Sequence, residues 1–150
     1  MESVSLDGLP ENALLLIDSA PIIYVLEDHP ELATGFRPIF EAHDEGLVRL
    51  AVTTVTLAEV LTGPLSARDE VLAEKYRATL KSWFVVDLDA EIAESAARLR
   101  AACKLKLADA VQAASALAIG ADALVTHDRD FSSLGDLLVI GVGTKGSPNG

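Results

Sequence analysis

Short apolar runs separated by longer helical segments constrain the fold more than any other feature of this sequence. The run from Ala13 to Ile17 is continuously apolar, as a strand buried on both faces should be. The patterns predict four further strands, at residues 47–53, 84–86, 123–125 and 137–140, with helical segments between them. Because strands that alternate with helices pair in parallel, we expect an α/β fold with a central parallel sheet of four to five strands flanked by helices.

The length and composition favour one folded domain. A chain of 150 residues, half of them apolar, can bury a core of its own. We expect a polar leader at residues 1–12, a domain at 13–142 and a flexible tail, rich in Gly, Ser, Pro and Asn, at 143–150. The leader lacks the pattern of a signal peptide, and no apolar run approaches the roughly 18 residues of a membrane span. The expectation is a cytoplasmic protein that does not contact a membrane.

Four acidic residues differ from the others because each lies at an element boundary or among apolar neighbours. Asp18 follows the first strand, and Asp128 follows the fourth. Glu59 lies about one and a half turns into the helix after the second strand. Asp109 begins a strongly helical segment, and the two residues on either side of it are apolar. An ionised carboxylate in such surroundings must be paired or bind a metal, because burying it alone is prohibitive.

The four acids are expected to meet at one end of the sheet. Ligands of a parallel sheet gather at the carboxyl ends of its strands, so Asp18 and Asp128 face one cleft if their strands are neighbours. Asp109 can join them from the helix between. Each acid alone has an ordinary alternative: Asp18 and Asp109 can be helix N-caps. Glu59 can pair with a lysine, and Asp128 can cap a turn.

Clustered carboxylates favour a divalent cation. Like charges brought close repel one another, and an oxygen-ligated cation removes the conflict. The sequence has no Cys and His pattern for zinc, so the site suits Mg²⁺ or Mn²⁺. Such a site binds phosphate oxygens and lowers the pKa of a bound water, which is the chemistry of phosphodiester hydrolysis.

The charge distribution restricts how a nucleic acid could bind. The formal net charge of −11, from 12 basic and 23 acidic residues, argues against non-specific adhesion to nucleic acid. Lys104 and Lys106 lie close to Asp109 in sequence, and Arg129 follows Asp128. These three cations are candidate contacts to substrate phosphates. For the neighbouring basic residues at 98 and 100, a solvated helix face with i,i+4 pairs is favoured.

Two segments carry a family resemblance. LLLIDSAPIIYVLE is similar to the opening strand, Asp and helix of PIN-domain ribonucleases, and KLKLADAVQAASALAIGADALVTHDRDF resembles their third and fourth acidic motifs. The resemblance covers about Leu14 to Val142 and is to PIN domains of the kind that serve as VapC toxins in bacterial toxin–antitoxin pairs. It implies a PIN-like three-layer sandwich and a metal-dependent endoribonuclease. The implied ligands of one or two Mg²⁺ or Mn²⁺ ions are Asp18, Glu59, Asp109 and Asp128.

The resemblance also implies accessory residues and partners. Thr126 and Ser19 would be accessory hydroxyls near the metal, with Asp130 a weaker candidate than Asp128. Family members are usually homodimers, and the toxins bind a small antitoxin protein that covers the cleft. The chain departs from the family where Asp18 is followed by Ser-Ala-Pro, since many members have Asp-Thr-Asn or Asp-Ser-Ser.

Other functions remain open. A catalytically silent PIN-like module for binding or scaffolding is one alternative, although the presence of all four acids weighs against it. A receiver-type phosphoacceptor domain needs adjacent acids after the first strand, and Asp18 has no acidic neighbour. A phosphatase of the haloacid-dehalogenase type needs Asp-x-Asp, which Asp18-Ser19-Ala20 does not supply.

Overall fold

The apolar runs form the strands of one sheet, and helices occupy the segments between them. The structure, a computed structural model, describes residues 3–127 and 137–141. The strands of this part of the chain are β1 (Ala13–Ile17), β2 (Val48–Thr53), β3 (Phe84–Val86), β4 (Ala123–Val125) and β5 (Val139–Ile140). Its helices are α1 (Ser19–Leu26), α2 (Leu32–Asp44), α3 (Thr54–Ser66), α4 (Glu70–Lys81), α5 (Ala90–Cys103) and α6 (Leu107–Ala118).

The sheet is parallel throughout, with strand order β3-β2-β1-β4-β5. The predicted α/β fold with a parallel sheet is therefore confirmed. β1 lies between β2 and β4, and Ile17 is opposite Val125 in the β1–β4 pair. The first and fourth strands are thus neighbours, as the predicted cleft requires, and their carboxyl ends lie side by side.

Alternation along the strands divides the core into two layers. Leu15 and Ile17 of β1 pack in a cluster with residues of α1, α2, α3 and α4. Leu14 and Leu16 point to the opposite face, where they pack with residues of α5 and α6. Helices therefore cover both faces of the sheet, which confirms the predicted three-layer sandwich.

An aspartate joins β1 and β4 at the amino ends of these strands. The Asp122 carboxylate oxygen Oδ2 accepts a hydrogen bond from the Leu14 amide at 2.8 Å. The Asp122 amide donates to the Leu14 carbonyl at 2.7 Å. The side chain thus provides the acceptor for a strand amide, and the two strands are held together before their ladder begins.

Several helix boundaries differ from the prediction. Gly63-Pro64 is a pattern that predicts the end of a helix, but α3 continues to Ser66 with Pro64 buried in its last turn. Pro64 has no amide hydrogen to donate to the Val60 carbonyl, and the helix continues for only two residues beyond it. The charged segment from Ser66 to Lys81 predicts one helix, but α4 begins at Glu70, where the Asp69 carboxylate caps the helix by accepting from the Leu72 amide.

The predicted leader packs on the domain in part. Val4 is buried, and its amide donates to the Gly35 carbonyl of α2 at 2.8 Å. Contact with a helix therefore begins well before residue 13. The predicted tail at 143–150 lies outside the described residues. In the part of the chain that is described, no helix is both long and apolar enough to cross a membrane.

Candidate functional site

Strand alternation gathers polar side chains at the carboxyl end of the sheet. Leu16, Ala51 and Leu124 all face α5 and α6. The residue two positions after each of these points to the same face, because side chains alternate with a period of two along a strand. Those residues are Asp18, Thr53 and Thr126. Three polar side chains from three neighbouring strands are thus directed toward α6.

Asp18 accepts three hydrogen bonds through its carboxylate. Oδ1 accepts from the Ser19 amide at 2.8 Å and from the Gln112 side-chain amide at 2.9 Å. Oδ2 accepts from the Thr126 hydroxyl at 3.0 Å. Asp18 is the N-cap of α1, so this ordinary alternative is correct. Capping alone does not account for the two side-chain donors, which come from α6 and from the end of β4.

Gln112 lies at the centre of a buried polar network. Its side chain is on α6 and only 1% of the residue is exposed. Its amide nitrogen donates to Asp18 and also to the Thr56 hydroxyl oxygen, at 2.8 Å. Its amide oxygen accepts from the Thr53 hydroxyl at 2.7 Å. Both amide hydrogens and the oxygen have partners, so the orientation of the Gln112 amide is determined. We call Asp18, Thr53, Thr56, Gln112 and Thr126 the Gln112 network.

The predicted site residues include Asp18 and Thr126 of the Gln112 network but not Gln112, Thr53 or Thr56. The signals for these three are a polar residue within the apolar, alanine-rich segment of α6 and threonines at the end of β2 and in the turn that follows it. The sequence predicts Thr53 only as the last residue of a strand, but Thr53 is also the N-cap of α3, and its hydroxyl oxygen accepts from the Thr56 amide. Thr126 was predicted as an accessory hydroxyl, and it donates directly to Asp18.

Asp109 lies in the first turn of α6 and is half-buried. The N-cap of this helix is Lys106, so the alternative of Asp109 as an N-cap is wrong. Asp109 and Gln112 are three residues apart on the helix, a spacing that puts both side chains on neighbouring parts of one face. α6 therefore carries both a predicted ligand and a residue that contacts another predicted ligand, Asp18.

The other two predicted ligands are Glu59, which the structure describes, and Asp128, which it does not. Glu59 is exposed on α3, and no hydrogen bond joins its side chain to a described residue. Asp128, with the weaker candidate Asp130 and the predicted phosphate contact Arg129, lies outside the described residues. Within 3–127 and 137–141, no three His, Cys, Asp or Glu side chains form a group that could hold a metal. The four-acid site stays a prediction.

The Asp18 carboxylate is suited to a cation. A carboxylate offers about four lone-pair sites, two on each oxygen. Among the residues that the structure describes, two donors to Oδ1 and a single donor to Oδ2 leave one site on Oδ2. An oxygen ligand of this kind, fixed in orientation and half-buried, fits the preference of Mg²⁺ and Mn²⁺ for hard oxygen donors.

The predicted phosphate contacts Lys104 and Lys106 are both exposed in the connection between α5 and α6. Lys104 adopts a left-handed conformation with φ of 60°, which ends α5, and Lys106 precedes α6. Arg98, by contrast, pairs with Glu94 at 2.6 Å in the favoured i,i+4 arrangement. The Ser19 amide donates to Asp18, and no hydrogen bond joins the Ser19 hydroxyl to a described residue.

An aromatic pair lies beside the Gln112 network. The Tyr24 hydroxyl is 3.3 Å from His127 Nδ1, and the two rings meet edge to face with centroids 5.6 Å apart. Burial raises the pKa of Tyr24, and the negative charge of Asp18 raises that pKa further. His127 is exposed. The sequence does not predict this contact of Tyr24, because one aromatic residue in an apolar helix is the pattern of ordinary core packing.

The fold and the site define an α/β protein with polar side chains, among them the Asp18 carboxylate, at the carboxyl end of a parallel sheet. The family model described as PIN domain matches residues 15–137, and the chain belongs to this family. A search of curated protein sequences gave no match.

Several solved structures of similar fold are described as toxin–antitoxin proteins. A toxin–antitoxin complex from Klebsiella pneumoniae has 25% identity and a TM-score of 0.64, over 83% of this chain and 95% of that one. DNA-bound VapBC from Salmonella typhimurium has 20% identity and a TM-score of 0.67, over 85% and 96%. Mycobacterium tuberculosis VapC20, described as a sarcin-ricin loop cleaving toxin, has 16% identity and a TM-score of 0.66, over 81% and 95%. The predicted resemblance to VapC-type PIN domains is confirmed.

Proposed function

We propose that this protein is a metal-dependent endoribonuclease and the toxin of a toxin–antitoxin pair. The observation that carries the proposal is the Asp18 carboxylate, oriented by three hydrogen bonds at the carboxyl end of β1, with one lone-pair site that no described residue occupies. Membership of the PIN domain family supports the reaction class. The solved neighbour described as cleaving the sarcin-ricin loop supports RNA as the substrate class.

The proposed ligands of Mg²⁺ or Mn²⁺ are Asp18, Glu59, Asp109 and Asp128. When bound, the ion supplies a water of lowered pKa and positive charge for the phosphate oxygens. Thr126 contributes by holding the Asp18 carboxylate in one orientation. Exposed Lys104 and Lys106, with Arg129, are placed in sequence to contact phosphates on either side of the scissile bond.

The proposed protein partner is an antitoxin. The structural neighbours from Klebsiella and Salmonella are toxin–antitoxin complexes, which supports this class of partner. An apolar groove lies between α3, α5 and α6, and Leu107 beside it is 60% exposed. Leu107 lies in the first turn of α6, the turn that also carries Asp109, so a protein bound in the groove would contact the helix that carries a proposed ligand. A homodimer of this chain is a further expectation, which light scattering of the purified protein tests.

Cleavage of a mixed cellular RNA pool by the purified protein tests the proposed activity. Reactions contain Mn²⁺ or Mg²⁺, with EDTA in a parallel reaction. Asp109→Asn is the test variant, and Asp89→Asn is its matched control. Asp89 is also an aspartate at the start of a helix, where its carboxylate accepts from the Ile92 amide as an N-cap. We expect metal-dependent cleavage by the wild type and by Asp89→Asn, and its loss in Asp109→Asn.

The alternative of a silent binding module makes a different prediction in the same experiment. Such a module binds RNA or a partner protein without cutting RNA at any metal concentration. Cleavage that persists in EDTA, or that is equal in Asp109→Asn and wild type, contradicts the proposed mechanism. If wild type binds Mn²⁺ by calorimetry but leaves the whole RNA pool intact, the endoribonuclease proposal fails for these RNAs and the module is favoured.

A further inference from the structure

We infer that Gln112 is a positioning residue, which orients the Asp18 carboxylate for the metal of the proposed nuclease. The inference rests on the proposed function, because it concerns the same site. Its basis is the 2.9 Å hydrogen bond from the Gln112 amide nitrogen to Asp18 Oδ1, in a position where the glutamine is 1% exposed. Gln112 acts through Asp18 and is not itself a ligand.

The orientation of the Gln112 amide is set by Asp18 itself. An ionised carboxylate can only accept hydrogen bonds, so the Gln112 nitrogen rather than its oxygen faces Asp18 Oδ1. A flipped amide would put oxygen against carboxylate and lose the Asp18 hydrogen bond. The Thr53 and Thr56 hydroxyls can each donate or accept, and they satisfy the amide oxygen and the second amide hydrogen. These two contacts hold the oriented amide in place.

The two carboxylate oxygens of Asp18 accept hydrogen bonds from different donors. Oδ1 is occupied by the Ser19 amide and by Gln112. Thr126, at the end of β4, is the single donor to Oδ2 within residues 3–127 and 137–141. Gln112 and Thr126 donate hydrogen bonds to different oxygens, which restrains rotation of the carboxylate about its Cβ–Cγ bond. Partners that orient a ligating carboxylate in this way commonly affect metal affinity as strongly as some ligands do.

Burial of Gln112 requires a reason other than stability. A buried amide contributes little net stability, and an apolar core of the same shape can be equally stable. The surrounding positions of α6, such as Ala113 and Ala116, are fully buried and apolar. A second polar residue on the same helix, Ser115, is also buried, and its hydroxyl has no hydrogen-bond partner among the described residues. Only Gln112 of this pair reaches a predicted metal ligand.

Mn²⁺ affinity of purified variants, measured by isothermal calorimetry, tests the inference. Gln112→Glu keeps the shape and the acceptor for Thr53 but replaces the donor to Asp18 with oxygen. Gln112→Met removes both functions at similar volume. We expect each variant to weaken Mn²⁺ binding by about 10–100-fold. RNA cleavage should fall in parallel and recover in part at higher Mn²⁺ concentration, since the ligands themselves remain.

Two controls separate positioning from stability. Ser115→Ala changes a buried polar residue of the same helix without a link to Asp18. Asp122→Ala removes the acceptor for the Leu14 amide at the opposite end of β1, and it lowers stability there. Both are expected to bind Mn²⁺ as the wild type does, when binding is measured below the thermal midpoint of each variant. If Asp122→Ala and Gln112→Met lose affinity equally, the effect is one of stability and the inference is wrong.

A measurement on the wild type covers the case in which the Gln112 variants do not fold. The side-chain amide of Gln112 gives its own pair of NMR signals, and these are expected to shift as Mg²⁺ is added. The midpoint of this shift should equal the midpoint of Mg²⁺ binding. Signals that do not move at saturating Mg²⁺ overturn the inference and leave the nuclease proposal intact. Wild-type protein that binds neither Mg²⁺ nor Mn²⁺ overturns both.

Discussion

Asp122 and Asp18 stand at opposite ends of the β1–β4 pair, and they are held in different ways. Asp122 accepts from one backbone amide, that of Leu14. Asp18 accepts from one backbone amide and from two side chains, those of Gln112 and Thr126. Both carboxylates are half-buried, so burial does not distinguish them. The difference lies in the source of the donors.

The source of the donors indicates what each carboxylate is for. A backbone donor pins the position of a strand, and any acceptor of suitable length would serve. Side-chain donors from two further elements fix the orientation of the carboxylate itself, which strand pairing does not require. The amino end of the pair therefore has an aspartate with a structural role. The carboxyl end has an aspartate whose carboxylate is held in one orientation by side-chain donors. Substitutions at the two positions should separate stability from metal chemistry.

The largest expected effect is on activity and comes from Asp18→Asn. Asparagine keeps an oxygen for the Ser19 amide and for Gln112, and its amide nitrogen can donate to the Thr126 hydroxyl, so the fold should persist. The charge and the remaining lone pair on Oδ2 are lost. We expect metal-dependent RNA cleavage to fall by at least about 100-fold, the upper range for disturbing a metal site through a neighbouring group. Cleavage assays beside Asp122→Asn, which should match wild type, check this.

The outcome that contradicts this expectation is equal activity of the two asparagine variants. In that case the two ends of the β1–β4 pair would be functionally alike, and Asp18 would be an N-cap only. Circular dichroism of both variants serves as the folding control, because loss of the α1 cap alone would lower helix content or the thermal midpoint.

The next effect is on stability and comes from Asp122→Ala. Removal of this carboxylate leaves the Leu14 amide without its acceptor in a half-buried position. An unsatisfied buried donor costs about 1–3 kcal/mol of unfolding free energy. Urea unfolding should show a lower midpoint at unchanged slope, and the folded variant should cleave RNA at the wild-type rate. A change in stability below the error of the measurement would show that water replaces the carboxylate, and the contrast with Asp18 would weaken.

The sheet, its parallel pairing and the position of Asp18 could be predicted from the sequence. Continuous apolar runs separated by helical segments are strong signals, since they reflect burial on both faces. The alternation that directs Asp18 and Thr126 toward α6 also follows from the period of a strand. Neither signal gives the distance between side chains of different elements.

The Gln112 network could not be predicted for that reason. A glutamine in an alanine-rich helix gives the same sequence pattern whether its side chain faces solvent, a partner protein or a carboxylate. Its role depends on how far α6 lies from the ends of β1 and β2, and that distance is set by packing over the whole face. The exposure of Glu59 likewise depends on the tilt of α3 and not on the residues around it.

A smaller effect is expected from Thr126→Val, which keeps the shape of the side chain but removes the donor to Asp18 Oδ2. Gln112 and the Ser19 amide still hold Oδ1, so the carboxylate loses one of its restraints. We expect activity to fall by about 10-fold, the lower range for losing a partner of a metal ligand. Thr126→Ser keeps the hydroxyl and should retain most of the activity. Equal activities of the valine and serine variants would remove Thr126 from the site.

The smallest effect is expected from Asp89→Ala, which tests whether helix capping explains the carboxylates of this fold. Asp89 caps α5 by accepting from the Ile92 amide at 2.8 Å, and no side-chain donor of the described residues contacts it. Loss of such a cap costs about 1 kcal/mol. The free energy of unfolding should fall by this amount, while Mn²⁺ affinity stays at the wild-type value. Weakened Mn²⁺ binding in Asp89→Ala would mean that loss of any cap disturbs the metal site, and the side-chain donors of Asp18 would then no longer distinguish it from an ordinary N-cap.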